Sequence, residues 1–131
     1  MQGRSIAKGT GSGELLVSPA PISFLSGVDP ETGVIVEKCH PLVGQCIAGK
    51  ILAFEFGKGS TVGSYVLYAL SRNGYAPVAI VNKEAEPIIV IGAILGRIPM
   101  IDHIDISRLR SGVKAAVNGD TGELSCEGEP G

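Results

Sequence analysis

Residues 51–74, ILAFEFGKGSTVGSYVLYALSRNG, constrain the fold more than any other stretch of this chain. The mostly apolar run at 51–56 has the length and composition of a buried strand. It breaks at Gly57-Lys58-Gly59-Ser60, after which Val62, Tyr65, Val66, Ala69 and Leu70 recur at helical spacing until Gly74 stops them. The segment predicts a strand, a glycine-tight turn and a helix, with a serine hydroxyl at the helix start. The first N–H groups of a helix lack internal partners, and the helix dipole places partial positive charge there. An oxyanion is stabilised at such a point, whether it belongs to a ligand or to the serine itself.

Local grammar leaves two roles open for Ser60. Serine is a common N-cap and accepts a hydrogen bond from the first helical turn, and the same turn is suited to cradling an anion. The order G-x-x-x-x-G-K-S/T is absent, and Gly57, Gly59 and Gly63 are spaced G-x-G-x-x-x-G, which is not the dinucleotide fingerprint. A nucleophile elbow would need G-x-S-x-G, which is also missing.

The remaining elements are short and punctuated by 19 glycines and eight prolines. Residues 5–8 and 14–18 read as strands around a turn at 9–13, and residues 28–33 as a turn leading into a strand at 34–37. Residues 77–82 form a β-branched strand. Pro87 opens a second helix that runs through Ile94 and ends near Gly96, and residues 99–104 form another short strand. Residues 112–117 and 123–126 form a hairpin about the turn 118–122, and residues 127–131 read as a frayed end. The centre is thus β-α-β-α-β, which favours parallel strands with right-handed crossovers, between β-rich flanks. The expected architecture is α/β: a single domain over residues 1–131 combining a barrel-like β layer with a small parallel part.

At 131 residues, with 44% apolar and 18% charged residues, the chain can bury a core. A net charge of −2 without a basic cluster argues against nucleic acid as partner. The longest apolar stretch, 87–95, is too short to span a membrane. No basic-then-apolar signal opens the chain, so a cytoplasmic location is expected. Cys39, Cys46 and Cys126 are odd in number and unclustered, which disfavours a disulfide framework and a metal site of this chain's own.

Four motifs in a fixed order add a resemblance: S-F-x-x-G-V-D-P-x-T-G from Ser23, H-P-L-x-G from His40, A-G-K-x-L from Ala48, and G-K-G-S from Gly57. In this order, over nearly the whole chain, they resemble the swivelling domain of the aconitase X family. The resemblance implies a swivelling β/β/α fold and a hydro-lyase that works only with a large catalytic subunit. It implies a 4Fe–4S cluster carried by three cysteines of that subunit, with none bound by this chain alone. It also implies that Ser60 is the proton acceptor. The likeness is greatest to members whose swivelling domain is a separate small chain. For these the implied reaction turns (R)-5-phosphomevalonate, a small phosphorylated hydroxy acid, into trans-anhydromevalonate 5-phosphate within an isoprenoid route. Hydroxyproline dehydratases, which fuse both parts, share the motifs and supply the alternative substrate.

The chemistry agrees with these residues. Dehydration requires a proton to be taken from the carbon next to a carboxylate, and an unperturbed serine is too weak a base. Backbone donors and a positive dipole make its alkoxide attainable, and Gly59 with the first turn after Ser60 offers that setting. Lys58 is either a ligand for substrate phosphate or carboxylate or a solvated loop lysine. Thr61 and Ser64 either contact substrate or serve as helix-terminal polar residues. His40 is a proton relay or a loop tether, with the tether favoured. Asp29 and Thr32 shape a turn, Glu84 and Glu86 suit a helix N-terminus, and Arg97, Arg108 and Arg110 belong on the surface. The competing class is a non-catalytic binding or structural subunit, favoured by the scarcity of catalytic groups. Co-purification with a large subunit, read by colour and activity, separates the two.

Overall fold

The computed structural model describes residues 1–18, 22–23, 28–29, 31–36, 42–54, 57–58 and 61–126; of residues 22–23, 57–58 and 61–64 it describes the backbone. Strand β1 is Arg4–Ala7, β2 Thr10–Val17, β3 Ile22–Ser23, β4 Ile51–Phe54 and β5 Gly57–Lys58. Helix α1, Thr61–Asn73, then precedes β6, Ala79–Asn82, and helix α2, Pro87–Leu95, precedes β7, Met100–Asp102. A 3-10 turn at Ile106–Arg108 leads to the hairpin of β8, Lys114–Asn118, and β9, Glu123–Cys126.

Among the described residues seven strands form one mixed sheet in the order β1-β7-β6-β4-β2-β8-β9. The expected β-α-β-α-β unit is β4-α1-β6-α2-β7, with β4, β6 and β7 parallel, and β2 joins it as a fourth parallel strand. The sheet then curls. Gly3 N–H donates to the Gly122 carbonyl and Leu124 N–H to the Met1 carbonyl, both at 2.8 Å, so the start of the chain reaches β9 while β1 pairs antiparallel with β7. This joins the two edges of the sheet and gives the barrel-like β layer.

Alternation along the central strands fills both faces. Leu52, Phe54, Ile80 and Met100 lie on one side with Leu67 and Leu70 of α1 and Ile89 and Ala93 of α2. Ile51, Ala53, Val81 and Ile101 lie on the other with Val117 and Leu124 of the hairpin. Strands buried on both faces carry near-continuous apolar runs, which is why ILAF and AIVN read as strands. Phe54, Leu52 and Leu70 are fully buried, and each such side chain contributes about 1.5–3 kcal/mol of burial.

Four readings of the sequence need correction. Residues 9–13 are not a turn: Thr10 to Gly13 belong to β2 and pair with β8. A Cβ at Gly11 would stand 2.3 Å from the Val78 carbonyl oxygen, and one at Gly13 would stand 2.7 Å from that of Gly49. These glycines answer close backbone approach rather than chain reversal. The strand expected at 34–37 is reduced to isolated bridges, Val28 with Ile35 and Val34 with Cys46, and Glu37 lies outside the described residues. Tyr65 is not in the buried stripe of α1; it is 68% exposed, and Leu67 takes its place inward. The strand expected over 99–104 is confined to β7.

Both helices end in Schellman motifs. Tyr75 N–H donates to Leu70 and Gly74 N–H to Ser71, with Gly74 at φ +80°. In α2, Ile98 N–H donates to Ala93 and Arg97 N–H to Ile94. The left-handed residue there is Arg97 at φ +56°, not the glycine before it. Gly96 is needed for packing, since its Cβ would meet the Ser71 Cβ at 3.1 Å, and Ser71 Oγ donates to the Gly96 carbonyl at 2.6 Å.

Candidate functional site

Parallel α/β sheets bind ligands beyond the carboxyl ends of their strands, and the polar residues of this chain mark that edge. Among the described residues three polar side chains are buried: Ser18, which follows β2, Asn82, the last residue of β6, and Asp102, the last of β7. The carboxyl end of β4, between β2 and β6, is where the chain departs toward Gly57, Lys58 and α1.

Asn82 is opposite Phe54 in the β4–β6 register, and its Nδ2 donates to the Phe54 carbonyl at 2.9 Å. The side-chain amide thereby caps the ladder where main-chain pairing stops. Its Oδ1 is buried and has no hydrogen-bond partner among the described residues. An acceptor in that condition forfeits about 1–3 kcal/mol of solvation.

Asp102 is held on several sides. Arg4 Nε donates to Oδ1 at 2.9 Å and its terminal nitrogen to Oδ2 at 2.7 Å, while Ala85 N–H donates to Oδ2 at 3.0 Å. Burial is the largest single influence on this carboxyl and pushes its pKa up. The Arg4 hydrogen bonds, the Ala85 N–H, the positive charge of Arg4 and the neighbouring His103 together outweigh it and hold the group below its ordinary value. Arg4 is raised in turn, chiefly by the same hydrogen bonds. The network ties β1 and β7 to the connection that enters α2.

The two helix N-termini differ. In α2 the N-cap is Glu86, whose carboxylate accepts from Ile88 N–H at 2.9 Å and Ile89 N–H at 3.1 Å, with Pro87 at the first helical position. That positive end is filled from within the chain, and the sequence reading of Glu86 as a helix-terminal acid holds. Helix α1 has no acidic residue in its first turn. Ahead of it in the chain, Gly57 and Lys58 of β5 pair in parallel with Ile22 and Ser23 of β3.

Of the candidate residues, Lys58 is placed by that backbone pairing, and Thr61 and Ser64 lie in the first turn of α1. Gly59, Ser60 and His40 lie outside the described residues. Asp29 and Thr32 form the expected turn: Asp29 Oδ1 accepts from Glu31 N–H at 2.9 Å, and the Asp29 carbonyl accepts from Gly33 N–H at 2.8 Å. The hairpin turn repeats this arrangement with Asn118 in place of Asp29, accepting from Asp120 and Gly122. Arg97, Arg108 and Arg110 are exposed.

The described cysteines do not suit a metal cluster. Cys46 sits beside Gly33 and Thr32, whereas Cys126 ends β9 and packs on the hairpin side of the sheet; Cys39 lies outside the described residues. Among the described residues no three His, Cys, Asp or Glu side chains converge on a metal position. No helix among them is long and apolar enough to cross a membrane. Sequence reasoning missed Asn82, Asp102 and Arg4. A polar residue closing each of two apolar strands, AIVN and MID, was the available signal.

Residues 1–126 match the family model described as the aconitase X swivel domain. The phosphomevalonate dehydratase small subunit of Pyrococcus abyssi is 53% identical over 128 residues, covering 98% of each chain. The protein of that name from Methanosarcina acetivorans is 52% identical over 127 residues, covering 95% of this chain and 88% of its own. The crystal structure of Thermococcus kodakaraensis aconitase X in its holo-form superposes with a TM-score of 0.93 at 53% identity, covering 95% of each chain. The fold, its carboxyl edge and these matches agree, and this chain belongs to the aconitase X swivel-domain family.

Proposed function

We propose that this chain is the small subunit of a phosphomevalonate dehydratase, active only with its large subunit. The observation that carries the reading is identity above 50% over almost the full length of both chains with small subunits of that name. In this reading residues 1–131 act as one swivelling domain that completes a site on the partner. The substrate is (R)-5-phosphomevalonate and the product trans-anhydromevalonate 5-phosphate, with the cytoplasm as the expected compartment.

Ser60 is the proton acceptor in this account. It immediately precedes the first residue of α1 in the sequence, where unpaired N–H groups and the helix dipole favour an alkoxide. The alkoxide takes the proton from the carbon next to the substrate carboxylate. The C–H electron pair becomes the new double bond, the hydroxyl on the adjacent carbon leaves with its bonding pair and takes a proton from solvent to become water, and Ser60 returns its captured proton to solvent to restore the alkoxide. A 4Fe–4S cluster on the large subunit supplies Lewis acidity toward the departing hydroxyl when bound. Lys58, Gly59, Thr61 and Ser64 contribute substrate contacts, with Lys58 matched to an anionic group. The carboxylate of Glu86 already occupies the other helix N-terminus, which supports α1 as the anion-facing one.

The test is reconstitution. This chain and its large subunit, purified separately and together under anaerobic conditions, are assayed with (R)-5-phosphomevalonate. Turnover by the pair and by neither part alone supports the reading. A pair that assembles with its cluster and leaves this substrate untouched, while dehydrating another hydroxy acid, overturns the substrate assignment.

A further inference from the structure

The amide of Asn82 is an odd feature for a core. It is 1% exposed, its Nδ2 makes one hydrogen bond to the Phe54 carbonyl, and its Oδ1 makes none among the described residues. A buried group that gains one bond and leaves an acceptor unpaired returns little net stability, and an apolar side chain of the same shape serves such a position as well. Departures from core rules of this kind are expected where function sets the residue. Asn82 is also rigidly held: its backbone pairs with β4, and its carbonyl accepts from Ile104 N–H at 3.3 Å. Phe54 is the last residue of β4, and the chain reaches Ser60 six positions later.

We propose that Asn82 is a positioning residue for this site: by fastening the Phe54 carbonyl it fixes the end of β4, from which the chain continues in sequence to Gly57, Lys58 and Ser60. The inference rests on the reading of Ser60 as the reacting group, and it acts through Ser60 rather than on substrate. Misplacing a reacting group by about 1 Å loses up to ~10²-fold in rate. The effect of Asn82 should therefore be seen in kcat, with substrate contacts and KM largely kept.

The test uses the assembled two-chain enzyme with Asn82→Leu, which removes both polar atoms, and Asn82→Asp, which keeps the shape and the acceptor but loses the donor. Ser60→Ala is measured alongside. Both Asn82 variants should lower kcat by about 10-fold or more with KM within about threefold. Amide exchange across residues 55–60 should quicken while β4 and β6 stay protected. Should Asn82→Leu fail to fold, Asn82→Asp decides alone. Exchange at 55–60 and kcat both within twofold of wild type overturn the inference. So does faster exchange spread evenly through β4 and β6, which would mark a merely structural residue. If Ser60→Ala remains active, the role of Ser60 fails, and Asn82 is then judged on the local exchange alone.

Discussion

Asn82 and Phe54 close two neighbouring parallel strands at the same level, and the side-chain amide of one holds the backbone carbonyl of the other at 2.9 Å. The pairing converts a sheet edge into a fixed point. From it one chain segment runs toward Gly57, Lys58 and α1, and another runs toward Glu86 and α2. The two helices follow these neighbouring strands in the chain, and their starts differ in what each carries.

The Arg4–Asp102 pair makes the first prediction. The Asp102 carboxyl is held below the ordinary value of 3.8. A depressed pKa stabilises the fold fully above the unfolded carboxyl's range, and that stability is lost as pH falls through the folded pKa. Asp102→Ala should lose about 1.5–3 kcal/mol at neutral pH, the range for charge-assisted hydrogen bonds. It should also flatten the loss of stability below about pH 4. Arg4→Met should move the acid transition to higher pH, because burial then acts on the carboxyl with less opposition. Urea unfolding as a function of pH reads both effects, and an unchanged acid limb in both variants contradicts them.

Arg97 adopts φ +56° at the end of α2, where a side chain is strained and glycine is not. Arg97→Gly should raise stability by about 0.5–1 kcal/mol. Thermal unfolding of the chain checks this, and a clear loss would mean that the Arg97 side chain contributes more than its backbone strain removes.

Glu86→Ala removes the N-cap of α2 and should lower stability by about 1 kcal/mol while leaving kcat of the assembled enzyme within twofold. A large fall in kcat at unchanged stability would move the site from α1 to α2.

The sequence made the local elements legible and left the long-range ones hidden. The apolar run at 51–56, of which 55–56 lie outside the described residues, the helical recurrence after Ser60 and the proline that opens α2 are signals carried by neighbouring residues, and each has its element. Gly11 and Gly13 misled because glycine marks both turns and close backbone contacts, and the contact partners Val78 and Gly49 are far away in sequence. Tyr65 fits the periodicity of α1 but faces outward because Leu67 and Leu70 define the inward stripe. Arg4 and Asp102 are 98 residues apart, and the reach of Met1 to Leu124 closes the sheet across 123. Nothing local announces either. Gly57 and Lys58 read as part of a turn, but they form β5 against β3, and Asn82 was read only as the end of a β-branched strand. Its importance rests on the register with Phe54, which pairing alone reveals.

The chain on its own should bind no iron–sulfur cluster, since Cys46 and Cys126 pack in different parts of the fold. Anaerobic reconstitution followed by iron and sulfide analysis checks this. A stoichiometric cluster on the isolated chain would make Cys39, Cys46 and Cys126 ligands and would remove the need for a cluster on the partner.

The most direct test of the account is the rate of (R)-5-phosphomevalonate dehydration by the assembled enzyme carrying Ser60→Ala. The variant should assemble with unchanged iron and sulfide content and unchanged thermal midpoint, and kcat should fall by at least ~10²-fold, the low end for a positioned proton acceptor. Activity within a few-fold of wild type would contradict the assignment of Ser60 and, with it, the shared site proposed between the two chains.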